Sequence, residues 1–347
     1  MKRTLLRGCA TAAAALGLTL AGTQGTFAAA STTSASTASA TSAAASSASP
    51  SAGTDAAAPA ASGRLPVNYH FSTGFVGGFF SPTKAPAGAN NWSCTPSAAH
   101  PYPVVLVHGT LENMNDNWGG AAPLLANNGY CVFAFDYGGS SASAAIQGTG
   151  PAEDGAAQLS AFVDQVLAAT GAAKVDLVGH SQGGMMPRYY LKNLGGAAKT
   201  DKLIALSPSN NGTTLDGLTE FGRQLGLLEP ANQFVVGPAC AACVEQEVGS
   251  DFLTSLNSGG ETVPGVTYTV ITTTGDEVVT PYTNALLPAA PNVTNITVQD
   301  QCGLDASDHL EIAYDPIALT DVLNALDPAH PRPVPCEVVL PVTGPLT

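Results

Sequence analysis

Basic residues are scarce in this 347-residue chain. Only 12 Lys and Arg stand against 26 Asp and Glu, a formal net charge of −14. Three of the twelve, Lys2, Arg3 and Arg7, lie at the very start. Without that segment, nine basic residues face 26 acidic ones, and the net charge becomes −17. Such a surface repels phosphate backbones and anionic bilayers, so nucleic acid is not an expected partner. Long apolar runs are also missing. The stretch 8–22 is too short to span a bilayer, and no later run qualifies, so no transmembrane anchor is expected. There is no internal repeat. No second C-x-x-C or nearby His accompanies Cys240-Ala241-Ala242-Cys243, and the acids near Asp300 to Asp308 fit no calcium-loop spacing. No metal site is therefore expected.

What is present begins with a secretory pattern. A basic start, an apolar stretch and the small residues Ala28-Ala29-Ala30 read as a signal peptide over 1–30, and hence as a secreted, extracellular protein. Cys9 precedes the apolar stretch instead of ending it, which argues against a lipoprotein. Residues 31–63 are nearly all Ala, Ser and Thr with some Pro and Gly. They cannot bury enough apolar surface to offset chain entropy, so a disordered linker is expected. Residues 64–347 suit one domain. Six cysteines remain there, and an even number in an exported chain argues for disulfides. Among the possible pairings, Cys94–Cys131, Cys240–Cys243 and Cys302–Cys336 are favoured because they join neighbouring loops and a terminal tail.

Residues 64–99 are rich in Gly, Pro, Asn and aromatics, and read as an irregular arm packed on the domain. Strands and helices then alternate. Short apolar runs at 104–107, 130–137, 175–178, 203–206, 266–271 and 293–298 read as strands. Helices are expected at 117–128, 151–170, 185–194 and 317–326. This alternation predicts an α/β fold: a mostly parallel central sheet with helices on both faces. Residues 210–252 interrupt the rhythm with an apolar helix-like piece at 215–228. An insertion of that length suits a lid or cap, though a plain core helix fits as well.

The stretch Gly179-His180-Ser181-Gln182-Gly183 follows a strand and precedes a helix. That is the setting in which G-x-S-x-G presents a nucleophilic serine on a tight turn. A serine hydroxyl needs a base. Of the six histidines, His309 alone lies after the last strand and before the last helix, where a base can reach the carboxyl edge of the sheet. The orienting acid is expected at Asp276, with Glu277 and Asp300 as rivals. The oxyanion donors are expected to be the backbone N–H groups of Gln182 and Thr110, with the Thr110 hydroxyl as a third.

Several of these stretches resemble the secreted actinobacterial lipases of the α/β-hydrolase superfamily, the class 2 lipase group. They are Pro103 to Thr110, Gly179 to Pro187, Ser207-Pro208 onward, and Asp276-Glu277-Val278-Val279-Thr280-Pro281. The last stretch, with Asp308-His309, is also similar to the B-type lipase of Candida, whose acid and base fall on Asp276 and His309. The resemblance implies a triacylglycerol lipase or other carboxylic-ester hydrolase that acts on lipid or ester substrates and needs no cofactor. Two alternatives stand beside it: a polyesterase or short-chain carboxylesterase, and a non-catalytic surface-binding protein on the same fold.

Overall fold

A computed structural model of the protein describes residues 63–346. The expected signal peptide and, except for Gly63, the expected linker lie outside the described residues. Helix α1 (Phe71–Phe79) comes first. Strand β1 (Val104–Val107), helices α2 (Met114–Asn117) and α3 (Ala121–Asn127), and strand β2 (Val132–Phe135) follow. Helix α4 (Ala152–Thr170) leads to β3 (Val175–His180), then α5 (Gln182–Met185), α6 (Pro187–Asn193) and β4 (Thr200–Leu206). The 210–252 region holds α7 (Leu218–Gln224), α8 (Leu228–Ala231), α9 (Gly237–Ala239) and α10 (Ala241–Glu245). Helix α11 (Asp251–Asn257) precedes β5 (Thr267–Thr272) and β6 (Val293–Thr297). Helices α12 (Val298–Gln301) and α13 (Pro316–Leu326) and a small hairpin, β7 (Val339–Leu340) with β8 (Gly344–Pro345), end the chain.

Strands β1 to β6 form one parallel sheet in the order β2-β1-β3-β4-β5-β6. The chain leaves β1 toward one side to make β2 and returns to its other side to make β3. The carboxyl ends of β1 and β3 therefore flank the crevice where parallel sheets bind ligands. Residue alternation divides the core between the two faces. Val105, Val107, Phe133, Phe135 and Leu177 pack with α4 and α6 on one side. Val104, Leu106, Val132, Ala134 and Val178 pack with α3 and α13 on the other.

Four expectations about elements change. The arm contains a helix: Gly78 of α1 packs on the backbone at Asn115 and Asp116, and Gly74 on the Tyr314 ring. A side chain at either position would hold α1 away, so these glycines serve close packing. The 117–128 helix is two helices, split at Trp118-Gly119-Gly120, where Gly120 packs against the Asn68 carbonyl. The helix after the elbow starts at Gln182 instead of Met185. The 215–228 piece shortens to α7, because Leu215, Asp216, Gly217 and Gly226 all take positive φ. Among the described residues, no helix is long and apolar enough to cross a membrane. Disulfides join Cys94 to Cys131, Cys240 to Cys243 and Cys302 to Cys336.

Candidate active site

Ser181 stands between β3 and α5 with φ 55° and ψ −123°, a strained backbone for a residue with a side chain. The two flanking glycines make this turn possible. A methyl group on Gly179 would overlap the Gly183 carbonyl, and one on Gly183 would overlap the carbonyls of Val107 and His108. The Ser181 N–H donates to the Leu206 carbonyl at 2.9 Å, tying the turn to β4. The following helix is the four-residue α5, continued by α6, so peptide dipoles point toward the serine.

Asp276 and His309 meet. His309 Nδ1 lies 2.9 Å from Asp276 Oδ2. Asp276 Oδ1 accepts the N–H groups of Val278 and Val279 at 3.0 and 2.7 Å, which fixes the carboxylate plane. Burial works against the charge on Asp276, yet the His309 ring and the Val279 N–H hold its pKa below the ordinary carboxylate value. Burial likewise disfavours a charged His309, but Asp276, then Glu277 and Glu112, hold its pKa above the ordinary imidazole value. The two rival acids are placed otherwise. Glu277 Oε2 accepts the backbone N–H of His309 at 3.2 Å, not the ring. Asp300 is exposed on α12.

Thr110 and Gln182 come together from the ends of β1 and β3. The Thr110 hydroxyl donates to Gln182 Oε1 at 2.7 Å and accepts from Gln246 Nε2 at 2.8 Å. The hydroxyl expected as a third donor thus gives its proton to Gln182 Oε1 here. Leu111 takes φ 67° and donates its N–H to the Gln147 carbonyl at 3.0 Å, which turns the loop back after Thr110.

Ser181, His309 and Thr110 all line one cavity of about 540 Å³, within the usual range for small-molecule sites. Its other walls are mostly apolar. Phe71 and Phe75 come from α1, Leu111 from the β1 loop, Leu215 and Cys243 from the 210–252 region, and Val278, Val279 and Leu310 from loops beside the acid and the base. A hydroxyl and an imidazole opening onto such a cavity, with a carboxylate on the ring's far nitrogen, are equipped for acyl transfer through a covalent serine intermediate. Among the described residues, no cluster of three His, Cys, Asp or Glu is arranged to hold a metal.

The other histidines are engaged elsewhere. His108 stacks on Tyr137, and burial pushes its pKa down to about 4. His70 bonds the Thr343 carbonyl, His100 packs on Tyr130, and His330 pairs with Asp327. Sequence reasoning missed Phe71 and Phe75 as cavity walls, and it missed Glu112, Asn117 and Gln246 altogether. For Glu112 and Asn117 the one available signal is the mostly polar run 112–117 in the loop after a buried strand.

A six-stranded parallel sheet with this order, a serine turn after β3, an acid after β5 and a histidine after β6 defines an α/β-hydrolase fold. Residues 101–318 match the family described as Lipase (class 2), and the chain belongs to that family. Two curated relatives share a shorter stretch. A triacylglycerol lipase of Pseudarthrobacter phenanthrenivorans is 43% identical over 97 residues, 26% of this chain and 28% of that protein. A triacylglycerol lipase of Burkholderia plantarii is 43% identical over 97 residues, 26% of this chain and 25% of that protein. The matches thus span about a quarter of the length of these relatives. In structure the chain is similar to lipase B of Aspergillus fumigatus, with a TM-score of 0.52 and 21% identity, over 72% of this chain and 56% of that one. This last likeness concerns the fold alone.

Proposed function

We propose that the protein is an exported serine esterase of the lipase type that hydrolyses the ester bonds of acylglycerols through an acyl-enzyme on Ser181. The observation that carries this reading is the strained Ser181 turn, which shares an apolar cavity of about 540 Å³ with the His309 ring held by Asp276. His309 takes the Ser181 proton as the oxygen attacks the ester carbonyl. Asp276 keeps the ring oriented and stabilises its charged form. The N–H groups of Thr110 and Gln182 hold the oxyanion. The protonated ring then gives its proton to the leaving alcohol. Water, activated by the same ring, attacks the acyl-enzyme, and the serine recovers its proton as the acid departs. No step calls for a cofactor.

The apolar cavity walls favour an acyl chain over a charged substrate. Export is supported by three disulfides within the domain and by the secretory pattern of 1–30, with 31–63 as a linker ahead of a catalytic domain at 64–347. The 210–252 region contributes Leu215 and Cys243 to the cavity and exposes Leu218, Leu225, Leu227, Phe234 and Val235. It acts in this reading as a cap that meets the lipid. The test is a series of p-nitrophenyl esters from acetate to palmitate, with emulsified triolein, on wild type and Ser181→Ala. Hydrolysis that extends to long chains and triolein, and is lost in the variant, is expected. Activity confined to short soluble esters makes the enzyme a carboxylesterase. No hydrolysis by the folded wild type overturns the enzyme reading.

A further inference from the structure

Beside the serine lies a second set of buried polar side chains that the reaction above does not use. Glu112, Asn117 and His180 are 5%, 0% and 1% exposed. They come from the loop after β1, the end of α2 and the end of β3. Leaving such a group unpaired is costly, so their partners are informative.

The bonds run outward to two parts of the site. On one side, the Gly109 N–H is accepted by Glu112 Oε2 and by Asn117 Oδ1, both at 3.2 Å. Gly109 adjoins Thr110, so this pair anchors the loop of one oxyanion donor. On the other side, His180 Nε2 lies 2.8 Å from the main-chain carbonyl of His309. A carbonyl only accepts, so His180 carries a hydrogen on Nε2. His180 Nδ1 then faces Glu112 Oε2 at 3.0 Å. Asn117 Nδ2 also reaches that nitrogen at 3.0 Å, so Glu112 and Asn117 together hold this edge of the ring. Asn117 Nδ2, 3.2 Å from Glu112 Oε1, steadies the carboxyl group. Packing leaves no slack at the junction: a methyl group on Gly109 would collide with Glu112 Oε2 and would stand 3.2 Å from His180 Nδ1 and 3.3 Å from Ser181 Cβ.

We propose that Glu112 and His180 are positioning residues, which lock the oxyanion loop and the main chain of His309 into one rigid unit around Ser181. Both border the cavity beside Ser181, and the scheme gives neither a proton to carry. Base and oxyanion donors must be aligned at the same moment in the transition state, and misplacement by ~1 Å costs on the order of 10²-fold in rate. The inference rests on the serine-hydrolase reading.

The experiment compares His180→Ala, Glu112→Ala and Glu112→Gln with wild type and Ser181→Ala on p-nitrophenyl butyrate, with near-UV circular dichroism as a check on folding. His180→Ala and Glu112→Ala are expected to lower kcat about 10- to 100-fold with KM within about two-fold of wild type. Glu112→Gln keeps the shape. Its amide can donate to Nδ1 of a neutral His180, while the Gly109 N–H keeps Asn117. It is expected to recover most of the lost kcat. A kcat for His180→Ala within about two-fold of wild type, or Glu112→Gln as slow as Glu112→Ala, overturns the proposal. A loss carried by KM alone also overturns it. A second measurement does not depend on turnover: the low-field proton resonance of His309 Nδ1–H, followed in the Ser181→Ala background. It is expected to shift or broaden when His180 is replaced, and an unchanged resonance overturns the proposal. A folded wild type with no esterase activity would sink the serine-hydrolase reading instead, and the resonance would then decide this inference by itself.

Discussion

Asp276 Oδ2 and His309 Nδ1 stand 2.9 Å apart across 33 residues of chain, with both side chains almost fully buried. In the proposed mechanism His309 acts as a base only when neutral, and its pKa is held above the ordinary imidazole value chiefly by Asp276, against the effect of burial. The acid limb of kcat/KM should therefore lie above the ordinary histidine range. Asp276→Asn should move that limb to lower pH and lower kcat/KM by about 10³- to 10⁴-fold. A pH–rate profile on a soluble ester from about pH 5 to about pH 9 checks both, around the ordinary histidine value. A limb that stays in place would remove Asp276 from its role.

Stability should fall as pH rises. Burial pushes Asp116 and Glu311 up to about 8, Asp176 to about 7, and Asp136 and Asp321 to about 6. From about pH 4 to about pH 8 the folded chain thus binds more protons than the unfolded chain, and stability declines across that window. His309, with its raised pKa, adds the same sign: its contribution is present below the unfolded value and lost as pH rises through the folded one. His108, held at about 4, opposes them as one group. Asp276, held low, acts only below about pH 4, outside the window. Melting followed from about pH 5 to about pH 9 should show Tm lower at the alkaline end by several degrees.

The three disulfides should differ in their effect. Cys94–Cys131 and Cys302–Cys336 close loops of 37 and 34 residues, whereas Cys240–Cys243 spans three. Chain entropy assigns about 4 kcal/mol to each long loop and about 1.5 kcal/mol to the short one. Serine pairs at the first two sites should lower the urea midpoint far more than the pair at Cys240 and Cys243. Because Cys243 lines the cavity, that last pair should change the rate on long-chain esters more than it changes stability.

Gly183→Ala should fail at the level of folding. Its methyl group would enter the space of the Val107 and His108 carbonyls, backbone atoms that cannot rotate away. A loss of more than about 3 kcal/mol is expected, read from urea denaturation. A variant with wild-type stability would show that the turn after β3 is looser than this packing requires.

Leu218 and Leu225 are 66% and 55% exposed. Replacing both with Ser should leave stability within about 0.5 kcal/mol, since neither is in the core. If the 210–252 region meets lipid, hydrolysis of emulsified triolein should fall several-fold while p-nitrophenyl butyrate hydrolysis stays near wild type. Equal rates on both substrates would remove the cap.

The features legible in the chain before folding are local or periodic. A four-residue, mostly β-branched apolar run bounded by Pro103 and His108-Gly109 reads as a strand buried on both faces, so β1 was legible at 104–107. Glycines two residues either side of Ser181 announce a turn that only glycine can complete. The alternation of such runs with helices implied the parallel sheet. The limits of this legibility are equally physical. Helix α1 was hidden because Gly74 and Gly78 are poor helix formers, and their value appears only where α1 presses on α2 and Tyr314. The 215–228 piece looked like one helix because its leucines are periodic, but backbone turns at Leu215 to Gly217 and at Gly226 override periodicity. Only the tertiary structure decided that the aromatics of α1 wall the cavity, that Gln246 takes up the Thr110 hydroxyl across 136 residues, and that His180 bridges Glu112 and His309 across 68 and 129. A contact between residues so far apart leaves no spacing or composition in the chain, because it exists only once the sheet has brought its strand ends together.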